Sequence, residues 1–179
     1  MTTTPEAPAA HPATHPAAPI PPAVLARLRE ADDAGRPARP VTDGEGGAPL
    51  RCCLRRSRAG ERIALVSYAP LRRWAAGAGV DPGAYDEQGP VFVHAGPCGG
   101  PGPGGGYPFA ETAGLRAFRR YDAEGRITGG AAVRLPADPA LAQAAVGQAL
   151  AEAFADPGVA LVHVRAVEYG CFLYEVRRP

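Results

Sequence analysis

Four cysteines, four histidines and an arginine-rich, lysine-free set of cations are the groups of this 179-residue chain best suited to chemistry. Their spacing pairs two of them first. Read with period two, Ala160, Val162, Val164 and Ala166 form one apolar row, and His163 and Arg165 stand in the opposite row. A second run follows, with Phe172, Tyr174 and Val176 on one face and Cys171, Leu173 and Glu175 on the other. A three-residue turn at Glu168-Tyr169-Gly170 sets His163 opposite Glu175 and Arg165 opposite Leu173. An imidazole oriented by a carboxylate is a general acid or base near neutral pH; the same pair also serves as a satisfied polar contact on a solvated face.

The next constellation lies in Leu50–Arg56 and Arg62–Tyr68, which read as a hairpin around Ser57–Glu61. Pairing Arg56 with Arg62 puts Leu50, Cys52, Leu54, Ala64, Val66 and Tyr68 on a core face. Arg51, Cys53, Arg55, Ile63, Leu65 and Ser67 take the other face. Cys53 then has a guanidinium beside it that favours the thiolate, the competent nucleophile. His94 or His163 would move protons, and Ser67 would contact a substrate. Arg51 and Arg165, joined by Arg55, would hold an anion through planar bidentate contacts, unless Glu175 or Glu61 neutralises them. Cys52 reads as a buried small hydrophobe.

His94, Cys98, His163 and Cys171 or Cys53 are also competent zinc or iron ligands. His94-x-x-x-Cys98 could place two of them together at a strand end. No pair has a metal-knuckle spacing, and Cys52 and Cys53 cannot chelate jointly from a regular strand. The expectation is therefore no resident metal and no organic cofactor, with zinc or iron as the alternative. The segment Gly96–Tyr107, GPCGGPGPGGGY, lacks the lysine and hydroxyl residue of a phosphate-binding loop, and its prolines remove backbone donors. It reads as a solvated loop, or as a lid over the polar face.

These groups need a scaffold. Residues 1–21 carry almost no large apolar side chain and read as a disordered tail, so His11 and His15 mark no specific site. Pro22 to Ala34 reads as a short helix, and 36–49 as a Pro/Gly/Asp connection. Val91–Ala95 is a strand, and Leu115–Tyr121 with Arg126–Val133 is a hairpin turning at Asp122–Gly125. Between the start signal Asp138-Pro139 and the stop Asp156-Pro157-Gly158, apolar residues recur at helical spacing. The expected fold is α+β. It is a single domain over 22–179, a mostly antiparallel sheet of six or seven strands with one long helix packed on one face.

Several segments together resemble an uncharacterised bacterial family, the domain of unknown function 1203. They are Pro49–Arg55, Ser67–Leu71, Gly89–Ala95 with Cys98, Tyr121-Asp122 with Gly125–Ile127, and Val162–Arg165 with Tyr169–Phe172. The likeness runs over roughly residues 36–178 and implies no particular activity. Two departures are the inflated Gly/Pro loop after Cys98 and Ala166, where a polar amide is expected. A net charge of +1 gives no bulk attraction to nucleic acid or anionic membrane. There is no apolar run of about 20 residues, and the N-terminus lacks a signal peptide's basic and apolar regions. The protein is expected to be cytoplasmic with reduced thiols; a homo-oligomer is compatible with the sequence. The functional expectation is a small-molecule enzyme of lyase, isomerase or transferase type, acting on an anionic or carbonyl-bearing metabolite at the open sheet face. The alternatives are a non-catalytic ligand-binding or protein-interaction module and a His/Cys metal-binding protein.

Overall fold

The computed structural model describes residues 15–103 and 106–178. In chain order the elements are β1 (Ala17–Ala18), α1 (Pro22–Glu30), β2 (Pro40–Thr42), β3 (Pro49–Leu50), β4 (Arg55–Arg56), β5 (Arg62–Tyr68) and α2 (Pro70–Ala78). There follow β6 (Gly89–His94), β7 (Gly114–Tyr121), β8 (Ile127–Leu135), α3 (Pro139–Ala155), β9 (Leu161–Ala166) and β10 (Phe172–Arg177). The fold is α+β, but it has two five-stranded sheets where one was expected. The first, β1-β10-β9-β7-β8, is antiparallel throughout; the second, β2-β5-β6-β3-β4, is mixed, because β3 runs parallel to β6. None of the described helices is long and apolar enough to cross a membrane.

Helix α3 forms where the capping signals place it. The Asp138 carboxylate accepts the Leu141 amide at 2.9 Å, and Pro139 occupies the first turn. Its buried residues, Ala142, Val146, Ala149, Leu150, Ala153 and Phe154, pack with Val162 and Val164 of β9 and Leu173, Tyr174 and Val176 of β10. The apolar row of β9 thus faces the helix as its alternation requires. The β7–β8 hairpin closes at Asp122–Gly125, where Gly125 takes φ +79° and a Cβ would press to 3.0 Å from the Pro82 side chain.

The other side of β9 is not open. His163 is 1 % exposed, held between the rings of Tyr121 and Phe172, and Phe172 in turn meets Tyr68 of the second sheet edge-on. The expected solvated polar face is an inter-sheet layer. The β10 register is also corrected at one point. A bulge between Phe172 and Tyr174 pairs Arg165 with Phe172 rather than Leu173, and turns Leu173 toward the α3 core. Glu175 still faces His163 across the ladder.

The largest departure is at Leu50–Arg56. It is not one arm of a hairpin with β5, which pairs instead with β2 and β6. Leu50 pairs with Arg55, and residues 51–54 form a tight turn closed by the Leu54 amide on the Leu50 carbonyl at 2.9 Å. Leu54 adopts φ +56°, a left-handed conformation that nothing in its side chain favours.

Residues 15–21, expected to belong to a disordered tail, are part of the fold. His11 lies outside the described residues, but Ala17 and Ala18 pair with Val176 and Glu175, and the His15 ring stacks on Phe154. Ile20 donates its amide to the Arg51 carbonyl and is 3 % exposed within the core of the second sheet. Removing that side chain in Ile20→Ala should cost about 2–5 kcal/mol, the range for truncating a buried aliphatic residue. Urea unfolding measures it, and a change under about 0.5 kcal/mol would show that the segment is not docked.

Candidate functional site

The turn at residues 51–54 decides the chemistry. Because it is not a strand, Cys52 and Cys53 do not point to opposite faces; their sulfurs lie 3.9 Å apart. Both meet the end of β6, where His94 Nδ1 stands 3.3 Å from Cys52 Sγ and 3.7 Å from Cys53 Sγ. Cys98 arrives from the Gly/Pro loop, and all four ligand atoms lie within 4.8 Å of one another. Arg29 of α1 fixes the start of that loop by donating to the His94 and Gly96 carbonyls. At its other end the loop is clamped to α3, where the Gln143 amide hydrogen-bonds the Tyr107 backbone.

A tetrahedral ion with bonds of about 2.3 Å to sulfur and 2.0–2.1 Å to nitrogen has edges of about 3.8 Å between sulfurs and 3.6 Å between sulfur and nitrogen. The observed 3.9, 3.3 and 3.7 Å match those edges. The surroundings suit a bound cation as well. The His94 amide donates to Cys52 Sγ at 3.2 Å, and His94 Nε2 lies 3.4 Å from Glu61 Oε2. Arg55 Nη2 lies nearer still, 3.2 Å from Nε2; with Nδ1 on a metal, Nε2–H would donate to the Glu61 carboxylate, the usual outer partner of a ligating histidine, while Arg55 keeps its two bonds to the same carboxylate. Glu61 is held in place by two hydrogen bonds from Arg55 and one from the Arg58 amide.

The two adjacent thiols do not ionise alike. The hydrogen bond from Cys52 brings Cys53 down to about 6 against the upward push of burial, with further help from the Arg55 backbone amide and the nearby charges of His94 and Arg55. Cys52 is pushed far up, first because its proton is held in that bond and then by burial. One thiolate therefore forms readily and suppresses the second. A cation between the sulfurs would let both ionise.

The other expected site residues lie elsewhere. Arg51 turns away from Cys53; its guanidinium donates to the Phe172 carbonyl at 2.8 and 2.6 Å and to the Pro49 carbonyl. Arg165 closes on Glu87 and the Gly170 carbonyl, so it does not converge with Arg51 or Arg55. Ser67 pairs with Pro90 at the other end of β5, whereas Ile63 pairs with His94; its amide is held by the buried Asp32 carboxylate. Cys171 stands outside the cluster, its thiol directed at the Tyr169 carbonyl. Glu61 neutralises Arg55, as the sequence allowed; its place beside His94, the role of Arg29 and the ligand role of Cys52 were not legible there. The only local signal for the last was the Cys-Cys doublet itself.

His163 and Glu175 meet as expected, at 3.1 Å, but buried in the inter-sheet layer. Burial lowers the His163 pKa from 6.5, outweighing the upward pull of Glu175. Burial pushes Glu175 upward, yet the bonds from His163 and Arg177 hold it below 4.5. A histidine kept neutral in the fold binds its proton more readily when unfolded. Its contribution is therefore intact above pH 6.5 and is lost as pH falls below it, before Glu175 titrates. Unfolding free energy should drop between pH 6.5 and 4.5, and His163→Gln should flatten that slope; urea titrations at stepped pH measure it, and an unchanged slope in the variant rules the account out.

The family described as "Protein of unknown function (DUF1203)" matches residues 47–178, a stretch that holds Cys52, Cys53, His94 and Cys98 together with both halves of the His163–Glu175 pair. No curated protein and no solved structure matches the chain. The family match covers well over half of the sequence and includes every ligand of the cluster, and the chain belongs to the DUF1203 family.

Proposed function

We propose that this chain is a metal-binding protein that holds one zinc-class divalent ion on Cys52 Sγ, Cys53 Sγ, His94 Nδ1 and Cys98 Sγ. The observation that carries the reading is the triangle of tetrahedral edges among the Cys52, Cys53 and His94 ligand atoms, with Cys98 Sγ brought within 4.8 Å of all three. The ligand chemistry supports it. Three thiolates and one imidazole are a borderline-soft set that suits zinc and is poor for magnesium or calcium. The short span suits a single ion, whereas an iron–sulfur cluster spreads its ligands over two or more metals.

Four protein ligands close a tetrahedral site and leave no position for water, which is the pattern of a structural ion. Here the ion would tie three separate pieces together: the tight turn, the end of β6 and the Gly/Pro loop. The chain's residues prepare the site. The turn presents both sulfurs, Arg29 fixes the backbone between His94 and Cys98, and Glu61 orients the imidazole through Nε2.

Untagged protein should carry about one zinc per chain by plasma mass spectrometry. Cys53→Ser and Cys98→Ser should each remove most of it, while Cys171→Ser should leave it unchanged. Cobalt substitution should give intense thiolate-to-metal absorption. A stoichiometry near zero after zinc supplementation, with Cys52 and Cys53 freely alkylated, would end the proposal. In chelator-treated protein, Cys53 should alkylate first among the ligand thiols and stay reactive to about pH 6, as peptide mapping would show.

A further inference from the structure

A second site lies between the two sheets. A cavity of about 650 Å³ is walled by Pro49 and Phe92 from one sheet, by Leu173 from the other, and by Phe109 from the segment before β7. That volume is in the usual range for a small-molecule site, about 300–1,000 Å³. Phe109 is buried yet adopts φ +60°, a conformation unfavourable for an aromatic residue. Such a position persists only where the surrounding structure over-determines it. Arg56 lies over its ring at 5.9 Å to the centroid.

Two buried arginines line the same cavity. Arg51 is 2 % exposed, and its hydrogen-bond acceptors among the described residues are the Phe172 and Pro49 carbonyls. Among the described residues no carboxylate pairs with it, and three bonds leave two of its five N–H groups for another acceptor. Arg116 is 5 % exposed and is bonded to the Leu115 and Thr112 carbonyls at 3.1 and 3.4 Å. Among the described residues its one carboxylate neighbour, Glu168, stands 3.5 Å away with a half-exposed side chain. Arg56, at the rim, is already satisfied by Glu111, Thr112 and the Gly47 carbonyl. A guanidinium withdrawn from water without a counter-charge is costly, and an anion entering the cavity would relieve that cost.

We infer that this cavity binds an amphipathic monoanion, a carboxylate on an apolar body. The carboxylate would meet Arg51 and Arg116, and the body would lie over Phe92, Phe109 and Leu173. One uncompensated guanidinium and one half-neutralised by Glu168 suit a single negative charge rather than a polyphosphate. The site needs no ion at the thiol cluster, and it differs from the arginine grouping expected from sequence, because Arg116 replaces Arg165.

The test is calorimetric titration of the full chain with decanoate and 2-naphthoate, set against decan-1-ol and acetate. The two acids distinguish an aliphatic from an aromatic body. At least one should bind, and it should bind about tenfold or more tighter than decan-1-ol; acetate should give no measurable heat. Arg116→Gln should weaken the bound acid about tenfold, and Ala113→Trp, which puts a ring into a wall of the cavity, should abolish it. Thermal unfolding and metal content confirm that these variants fold. They carry the test because Arg51, which joins the sheets, is a poorer site to change. In the wild type, the bound acid should slow alkylation of Cys171, whose side chain also lines the cavity. Equal affinity for decan-1-ol and the acids, an undiminished affinity in folded Arg116→Gln, or no binding of either acid overturns the inference.

Discussion

The Arg51 guanidinium leaves the second sheet, crosses to the first and places two hydrogen bonds on one carbonyl, that of Phe172. The contact falls at the bulge of β10, where the ladder with β9 is interrupted. A charged donor on a buried carbonyl forms a strong bond, and here it is reinforced by the Phe172 ring, which packs into the core of the second sheet. Much of the structure depends on the four-residue turn that makes this reach possible. Arg51 can cross only because the chain turns straight after β3. That turn swings Cys52 and Cys53 together toward His94, and it holds Leu54 in a left-handed conformation. Sheet packing and the thiol cluster are two consequences of one local geometry.

That geometry explains what was legible in the sequence and what was not. The β9–β10 pairing was legible because alternation and a Gly-containing turn specify register together, and they place His163 opposite Glu175. Helix α3 was legible because an aspartate cap, a proline and a helical apolar repeat agree over 17 residues. The turn at 51–54 was hidden. Leu-Arg-Cys-Cys-Leu-Arg-Arg contains no glycine, proline, asparagine or aspartate, so nothing contradicts a strand until tertiary contacts do. The sequence argument against Cys52 and Cys53 sharing an ion failed for the same reason, since it assumed an extended backbone and the turn brings the two sulfurs together. The second sheet was missed because β2, β3 and β4 span only two or three residues each, too short for any periodicity to show.

Burial of the His163 face follows from a limit of alternation itself. Period two separates two faces of a strand, but it does not say that the more polar one meets water. Here that row carries Leu161 beside His163, and Leu161 packs with Leu71 and Tyr121 under α2. The polar groups are tolerated because each is answered nearby. Glu175 takes both His163 and Arg177, and Glu87 takes both Arg119 and Arg165. Of these pairs only His163 and Glu175 are both buried; a buried pair adds little net stability, but removing one partner is strongly destabilising. Together the pairs link β10 to β9 through Glu175 and tie β7 and β9 to the loop before β6 through Glu87.

The same accounting of charge separates structural polar groups from those that call for a ligand. In the inter-sheet layer, carboxylates and guanidinium groups neutralise one another within the chain. At Cys52 and Cys53 they do not. Two touching sulfurs with an imidazole and a donated amide form a site whose second ionisation lacks a positive partner. Around Arg51 the imbalance has the opposite sign, with a buried cation facing only carbonyls and a cavity beside it. Residues 51 to 53 therefore border both unbalanced places, one open to a cation and the other to an anion. Function in this fold is best sought at the ends of that short turn, not at the His163–Glu175 pair, where His163 is neutral and Arg177 already answers the Glu175 charge.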